Sequence, residues 1–232
     1  MFIGHFAVGF ASKRWAPRTS LGWLLLAPLL LDALWPVFSL LGIERFRITP
    51  GGGAFTALAF DSYPWSHSLL MAVVWGFALG GLYLALGGER RVAAVLWIGV
   101  VSHWVLDWIT HIPDLPLWPG GPREGLGLWG SVPGTIVIEV LMLAVGAWLY
   151  LGATRAKDGI GKIGPWVYLA LLVALYEMSI TSPPPPVGSE RLVSIVSLVL
   201  VLLVPLAWWL DRHRVPAVTD QSPRRTPASP PG

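Results

Sequence analysis

Long apolar runs constrain this chain more than any motif in it. Six of them, at roughly 20–42, 66–87, 90–111, 133–153, 164–182 and 190–211, each carry about twenty residues with few charges. That is the length at which an α-helix crosses the hydrocarbon core of a bilayer. Of the 232 residues, 54% are hydrophobic and 12% charged, where a soluble domain carries about 25% charge. The fold class is therefore all-α: a polytopic helical membrane protein with six transmembrane helices. A shorter apolar segment, residues 1–12, comes first. At about 1.5 Å per residue it reaches only about half a membrane. It is read as a short N-terminal half-span helix, with an amphipathic helix lying on the membrane surface as the competing placement. No cleaved signal peptide is expected, because the first long run is too long for one and carries Asp32 in its middle.

Charge placement sets an orientation. If residue 20 starts on the cytoplasmic side, 12 of the 16 basic residues fall on cytoplasmic segments, and only Arg45, Arg47, Arg123 and Arg191 fall outside. The positive-inside rule favours this arrangement. The expected organisation is one helical membrane domain over 1–211 in a bacterial inner (cytoplasmic) membrane, followed by a disordered cytoplasmic tail over 212–232. The tail is rich in Pro, Ser and Arg. Basic residues stand singly or in pairs between apolar runs, so nucleic acid is not a partner. Oligomeric state is not legible. The chain has no Cys, which excludes disulfides, thiolate metal sites and Cys nucleophiles and leaves His and carboxylate as metal ligands.

Ionisable groups inside a span cost about 2.5–3.5 kcal/mol each on insertion scales, which makes them functional candidates by default. The spans contain Asp32, His67, His103, Asp107, His111, Glu139 and Glu177. By helical rise, all seven fall between the midplane and the outer surface, which a random scatter would not produce. The segment from Ser102 to His111 is the centre of the case. His103, Asp107 and His111 are spaced i, i+4, i+8 and share one helix face. Two imidazoles and a carboxylate on one face make half of a site for zinc or another divalent ion.

Plainer roles compete. A His on a membrane helix often only hydrogen-bonds a neighbour. His111, followed by Pro113, equally suits a solvated helix end. Glu139 fits a metal ligand, a base or the partner of an Arg, and Glu177 fits packing or pairing. Asp61 and Asp114 lie in loops, where solvated acids are the default. His213, past the last span, reads as surface. His5 reaches the depth of Asp32 and His103 if its segment is a half-span, and lies at the lipid interface if it is not.

In chain order the residues read Gly4-His5 with Gly9, an Asp at the end of an apolar Pro-containing run (Pro28 to Asp32), Ser66-His67-Ser68, and Ser102-His103-x-x-x-Asp107. Over residues 1–115 this resembles the YdjM-like family of predicted membrane-bound metal-dependent hydrolases. The family usually has Pro-Asp-x-Asp at the second element and Thr-His-Ser at the third. Here the second has one Asp (Leu-Leu-Asp-Ala) and the third is Ser-His-Ser. The order His5, Asp32, His67, His103, Asp107 is also distantly similar to the zinc-dependent phospholipase C and single-strand nuclease fold. That resemblance implies phosphoester hydrolysis, with the Asp of the HxxxD pair bridging two metals.

The expectation is a membrane-embedded metal-dependent hydrolase acting on an ester or phosphoester, on a membrane lipid or lipid-linked substrate, at the outer half of the bilayer. The metal ligands are drawn from His5, Asp32, His67, His103, Asp107 and His111, the cofactor is a divalent metal, Zn2+ for this donor set, and Glu139 or Asp61 takes the proton. The alternative is a non-catalytic carrier, permease or assembly scaffold with a polar or metal-binding cluster. A carrier would want polar residues through the full thickness, and the cytoplasmic half has almost none. A haem or quinone protein would want two His at one depth, and His67 and His103 differ by about 10 Å of nominal rise.

Overall fold

A computed structural model describes residues 1–217; residues 218–232, the greater part of the expected disordered tail, lie outside the described residues. The helices are α1 (Ile3–Ser12), α2 (Leu21–Leu40), the single turn α3 (Pro64–His67), α4 (Leu69–Ala85), α5 (Arg90–Thr110), α6 (Val132–Ala153), α7 (Gly159–Thr181), α8 (Glu190–Leu200) and α9 (Leu203–Asp211). The chain is mostly rather than wholly helical. Three antiparallel strand pairs clasp its ends: β1 (Arg45–Ile48) with β2 (Leu58–Ser62), β3 (Leu115–Pro116) with β4 (Arg123–Glu124), and β5 (Thr154–Ala156) with β6 (Arg214–Pro216).

Five stretches are long and apolar enough to cross a membrane: 21–40, 90–110, 132–153, 159–181 and 190–211, the last made of α8 and α9 together. The run at 66–87 does not join them. Its helix, α4, has 17 residues, about 25 Å of rise against a core of about 30 Å. The cause is local. Ser68 is extended (φ −80°, ψ 150°) and its hydroxyl caps α4 by accepting from the Met71 N–H. This turns Pro64–His67 into a separate turn and swings His67 off the helix axis.

The half-length α1 is interior. Ile3, His5, Phe6 and Phe10 are buried among α2, α5, α6 and α7, so the surface placement is not adopted. Glycine permits this enclosure. A Cβ on Gly146 of α6 would stand 2.4 Å from the Ala7 carbonyl oxygen, and one on Gly9 2.9 Å from the Leu24 oxygen of α2. Close backbone approach at small residues is the usual packing device between membrane helices. The same device joins α2 and α5, where a Cβ on Gly99 would lie 2.9 Å from Ala27 Cβ.

At the end of the bundle away from the cluster described below, Asp211 is the knot. Lys13 Nζ donates to it at 2.5 Å, the Leu21 N–H at 2.9 Å and the Tyr150 hydroxyl at 3.2 Å, tying α1, α2, α6 and α9. Beyond it the expected disorder does not begin at 212. Arg214 is buried, donates to Thr154 and to the Gly161 carbonyl, and sits in the β5–β6 pair. A buried guanidinium with each of its three nitrogens hydrogen-bonded orders this start of the tail.

Candidate metal centre

The C-terminal turns of α5 carry the site, and the spacing visible in the sequence does the first part of the work. His103 Nε2 stands 3.0 Å from Asp107 Oδ2, one turn on. Gly99, one turn earlier, lets α5 press against α2, which brings the Pro28 carbonyl to 2.7 Å from His103 Nδ1. A carbonyl only accepts, so Nδ1 carries a proton and Nε2 is the nitrogen turned toward Asp107.

His67 is fixed the same way from the other side. The Ser66 hydroxyl donates to Glu44 Oε2 at 2.6 Å, so Ser66 Oγ accepts from His67 Nδ1–H at 2.7 Å. Glu44 Oε1 accepts the Trp65 and Ser66 N–H groups, both at 2.8 Å, and so caps the short helix α3. His111 ends α5. Its Nδ1–H donates to Asp114 Oδ1 at 3.0 Å, and the Tyr63 hydroxyl donates to the same oxygen at 3.0 Å. The Leu126 and Gly127 N–H groups satisfy the Trp108 and His111 carbonyls at 2.7 and 2.6 Å, which closes the helix end and holds the ring. Outside the spanning helices, burial lowers the pKa of His111, favouring neutral imidazole. Burial, with the Asp114 carboxylate beside it, holds the Tyr63 phenol well above its ordinary value.

These second partners aim three Nε2 atoms at Asp107. His67 Nε2 and His103 Nε2 face each other at 3.2 Å. Asp107 Oδ2 is 3.9 Å from His67 and 4.0 Å from His111. Asp32 Oδ1, from α2, is 3.6 Å from His67 and 3.8 Å from His103. The other oxygen of Asp107 faces α1: His5 Nε2 lies 3.0 Å from Oδ1, and the Met1 amino group 2.5 Å. The His5 ring stacks on His103 at 3.8 Å between centroids and 5° between planes. Two triads, Asp32–His67–His103 and His5–His103–Asp107, each bring their ligand atoms within 4.8 Å.

The donor set suits a divalent ion. Two Nε2 atoms that face each other at 3.2 Å, with carboxylates around them, need a cation or a proton between them. Ligands about 2.05 Å from zinc in a tetrahedron stand about 3.3 Å apart. The distances from His67 and His103 to each other and to Asp32 and Asp107 run from 3.0 to 3.9 Å. The imidazoles of His67, His103 and His111 each have Nδ1 engaged by an acceptor, as metal-bound His residues generally do, while His5 Nδ1 has no partner among the described residues.

The remaining candidates divide. Glu139 of α6 is buried and lines the cavity over the cluster. Its Oε2 accepts the Phe2 and Gly4 N–H groups at 2.8 and 3.0 Å, capping α1 rather than pairing with an Arg, and its Oε1 is unpartnered among the described residues. Asp61 is not with the others. On β2, side chains alternate: Phe60 points in, its ring 5.7 Å from His111, and Asp61 points out to Arg47 at 2.9 Å. Glu177 is exposed on α7. His213 meets Asp158 at 2.8 Å at the far end. Glu44 was not singled out by the sequence, and Asp114 reads there as a solvated loop acid. The one signal for Glu44 is the Ser66-His67 pair, whose Ser needs an acceptor once buried.

A cavity of about 560 Å3 opens over the cluster, with Asp32, His67, Asp107, His111 and Glu139 in its walls. An apolar helical bundle that buries linked His and Asp side chains at one end defines a membrane protein with a polar centre open to a cavity. The chain belongs to the YdjM inner membrane protein family, whose model matches residues 64–210. No curated protein and no solved structure matches it. The match takes in His67, His103, Asp107, His111 and Glu139, while His5 and Asp32 fall before it.

Proposed function

We propose that this protein is a membrane-embedded metal-dependent hydrolase that cleaves an ester or phosphoester of a lipid-like molecule. The observation that carries this reading is the opposed pair of His67 and His103 Nε2 atoms, 3.2 Å apart, among the carboxylates of Asp32 and Asp107. His67, His103, Asp32 and Asp107 would hold a divalent ion, zinc by donor type. Asp107 Oδ1 and His5 would hold a second ion or orient the first shell, and His111 would steady Asp107 from the other side. A bound ion of this kind supplies an activated water near neutral pH and polarises the substrate oxygen. Glu139, through its free Oε1, receives the proton, while its Oε2 keeps α1 and therefore His5 in place.

In this reading the chain is multi-pass. The α3–α4 segment crosses along with the five longer stretches, which makes six crossings with α1 as a half-span. The cluster lies in the outer half of the bilayer, and Arg90, Arg91 and the tail are cytoplasmic, as the distribution of basic residues favours. The test is hydrolysis of chromogenic phosphoester and ester lipids by protein in nanodiscs, with and without chelator. Glu139→Gln keeps an oxygen to cap α1 but cannot take a proton. It is expected to retain metal and lose about 10²–10⁴-fold in rate. A chelator-insensitive rate, or a Glu139→Gln variant as fast as wild type, contradicts the assignment.

A further inference from the structure

The cavity over the cluster is not walled by protein on every side. At the far end α7 and α9 are in contact: a Cβ on Gly164 would stand 2.6 Å from Leu210 Cδ2, and the Tyr168 hydroxyl donates to the Leu203 carbonyl at 2.9 Å. The two segments run antiparallel, so the next residues to meet, going toward the cluster, would be Leu175 and Val196. Leu175, Met178 and Ser179 on α7 and Val196, Ser197 and Leu200 on α8 line the cavity instead. The helix break at Val201–Leu202 falls where contact gives way to cavity. A smaller space of about 220 Å3 adjoins it and runs from Asp32 past Leu29 and Phe6 to Val201.

The two ends of this space differ in chemistry. Its base is the His/Asp cluster, with the Asp32 carboxylate 45% exposed there. Its flanks are apolar, and two of the residues that line it, Met178 on α7 and Val196 on α8, are also exposed on the outside of the bundle, on helices apolar enough to lie in hydrocarbon. A water-borne substrate has no use for apolar walls that open sideways into lipid. An amphiphile uses both parts: its head group at the cluster and its chain between the helices. From this geometry we infer that the gap between α7 and α8 is a lateral entry that seats one hydrocarbon chain of a membrane lipid while the head group reaches the cluster. The inference rests on the hydrolase reading only for what happens to the head group; the seat itself needs no reaction.

The test uses the full chain in nanodiscs containing a phospholipid with a photoreactive diazirine in one acyl chain, with adducts located by mass spectrometry. Adducts are expected on Leu175, Met178, Val196 and Leu200 in excess of those on Val137 and Leu141, which are exposed on α6 and report ordinary boundary lipid. Ser197→Trp and Ser179→Trp, each filling the gap from one side, should reduce the excess to the α6 level while α6 labelling stays constant. Equal labelling of α6 and the α7–α8 walls in wild type overturns the inference, whatever the two variants do. Metal analysis of the wild-type protein separates the two readings. Gap labelling in wild-type protein found to bind no metal leaves the lipid seat standing and removes the hydrolase. Metal-bearing protein with boundary labelling only does the reverse.

Discussion

Glu44 shows how far a single side chain organises this site. It lies 21 and 22 residues before the two N–H groups it accepts, and through the Ser66 hydroxyl it fixes which nitrogen of His67 carries the proton. Glu44→Ala strands three donors, two of them buried, at about 1–3 kcal/mol for each buried unsatisfied group. It is expected to weaken metal binding about 10–100-fold, the usual cost of losing a partner behind a metal ligand. Competition titration against a zinc chelator measures this; unchanged affinity in a folded variant would show that His67 needs no such support. Such residues separate what the sequence discloses from what it withholds. His103 and Asp107 are legible because helical periodicity places them together. Glu44 and Asp114 are not, because a loop acid is solvated by default and only the tertiary fold buries it. Asp61 illustrates the converse. The β1–β2 pairing leaves no apolar period in the sequence, and the strand alternation that turns Phe60 inward turns Asp61 out to Arg47.

At the scale of elements, the apolar runs predict the long helices to within a few residues, but not how the helices end. Ser68 shortens α4 by acting as a cap, and the same break delivers His67 to the cluster. The small residues Gly4, Ala7 and Gly9 favour tight packing of α1, and α1 is enclosed. Its depth could not be read from its length, because a half-span and a surface helix share one composition. Close helix approach is therefore the element-scale claim to test. Gly99→Val would push α5 off Ala27 and Pro28 and withdraw the carbonyl that orients His103. The expected cost is about 1–3 kcal/mol of overpacking, with lower metal occupancy. Gly81→Ala on α4 meets nothing within 4 Å and should stabilise by about 0.5–1 kcal/mol through helix propensity. Thermal unfolding in detergent reads both, and equal midpoints for the two variants would refute the packing argument.

Across the whole molecule, polar chemistry is divided between the two ends of an apolar bundle. The His/Asp cluster and its acids occupy one end. The Lys13–Asp211 knot and the buried Arg214 hold the other. In the proposed orientation the knot faces the cytoplasm. The natural chain has no Cys, so single cysteines introduced at Gly51 and at Gly88 should react with a membrane-impermeant maleimide from outside and from inside, respectively. The reverse pattern would turn the cluster toward the cytoplasm. The central claim, that this cluster exists to hold a metal, has the most direct test. Elemental analysis of protein purified without chelators should find about one to two divalent ions per chain, zinc foremost, and His103→Ala, folded by the same chromatographic criterion, should lose them. Wild-type protein with no metal above background would contradict the claim outright, as would a His103→Ala variant that keeps its full complement.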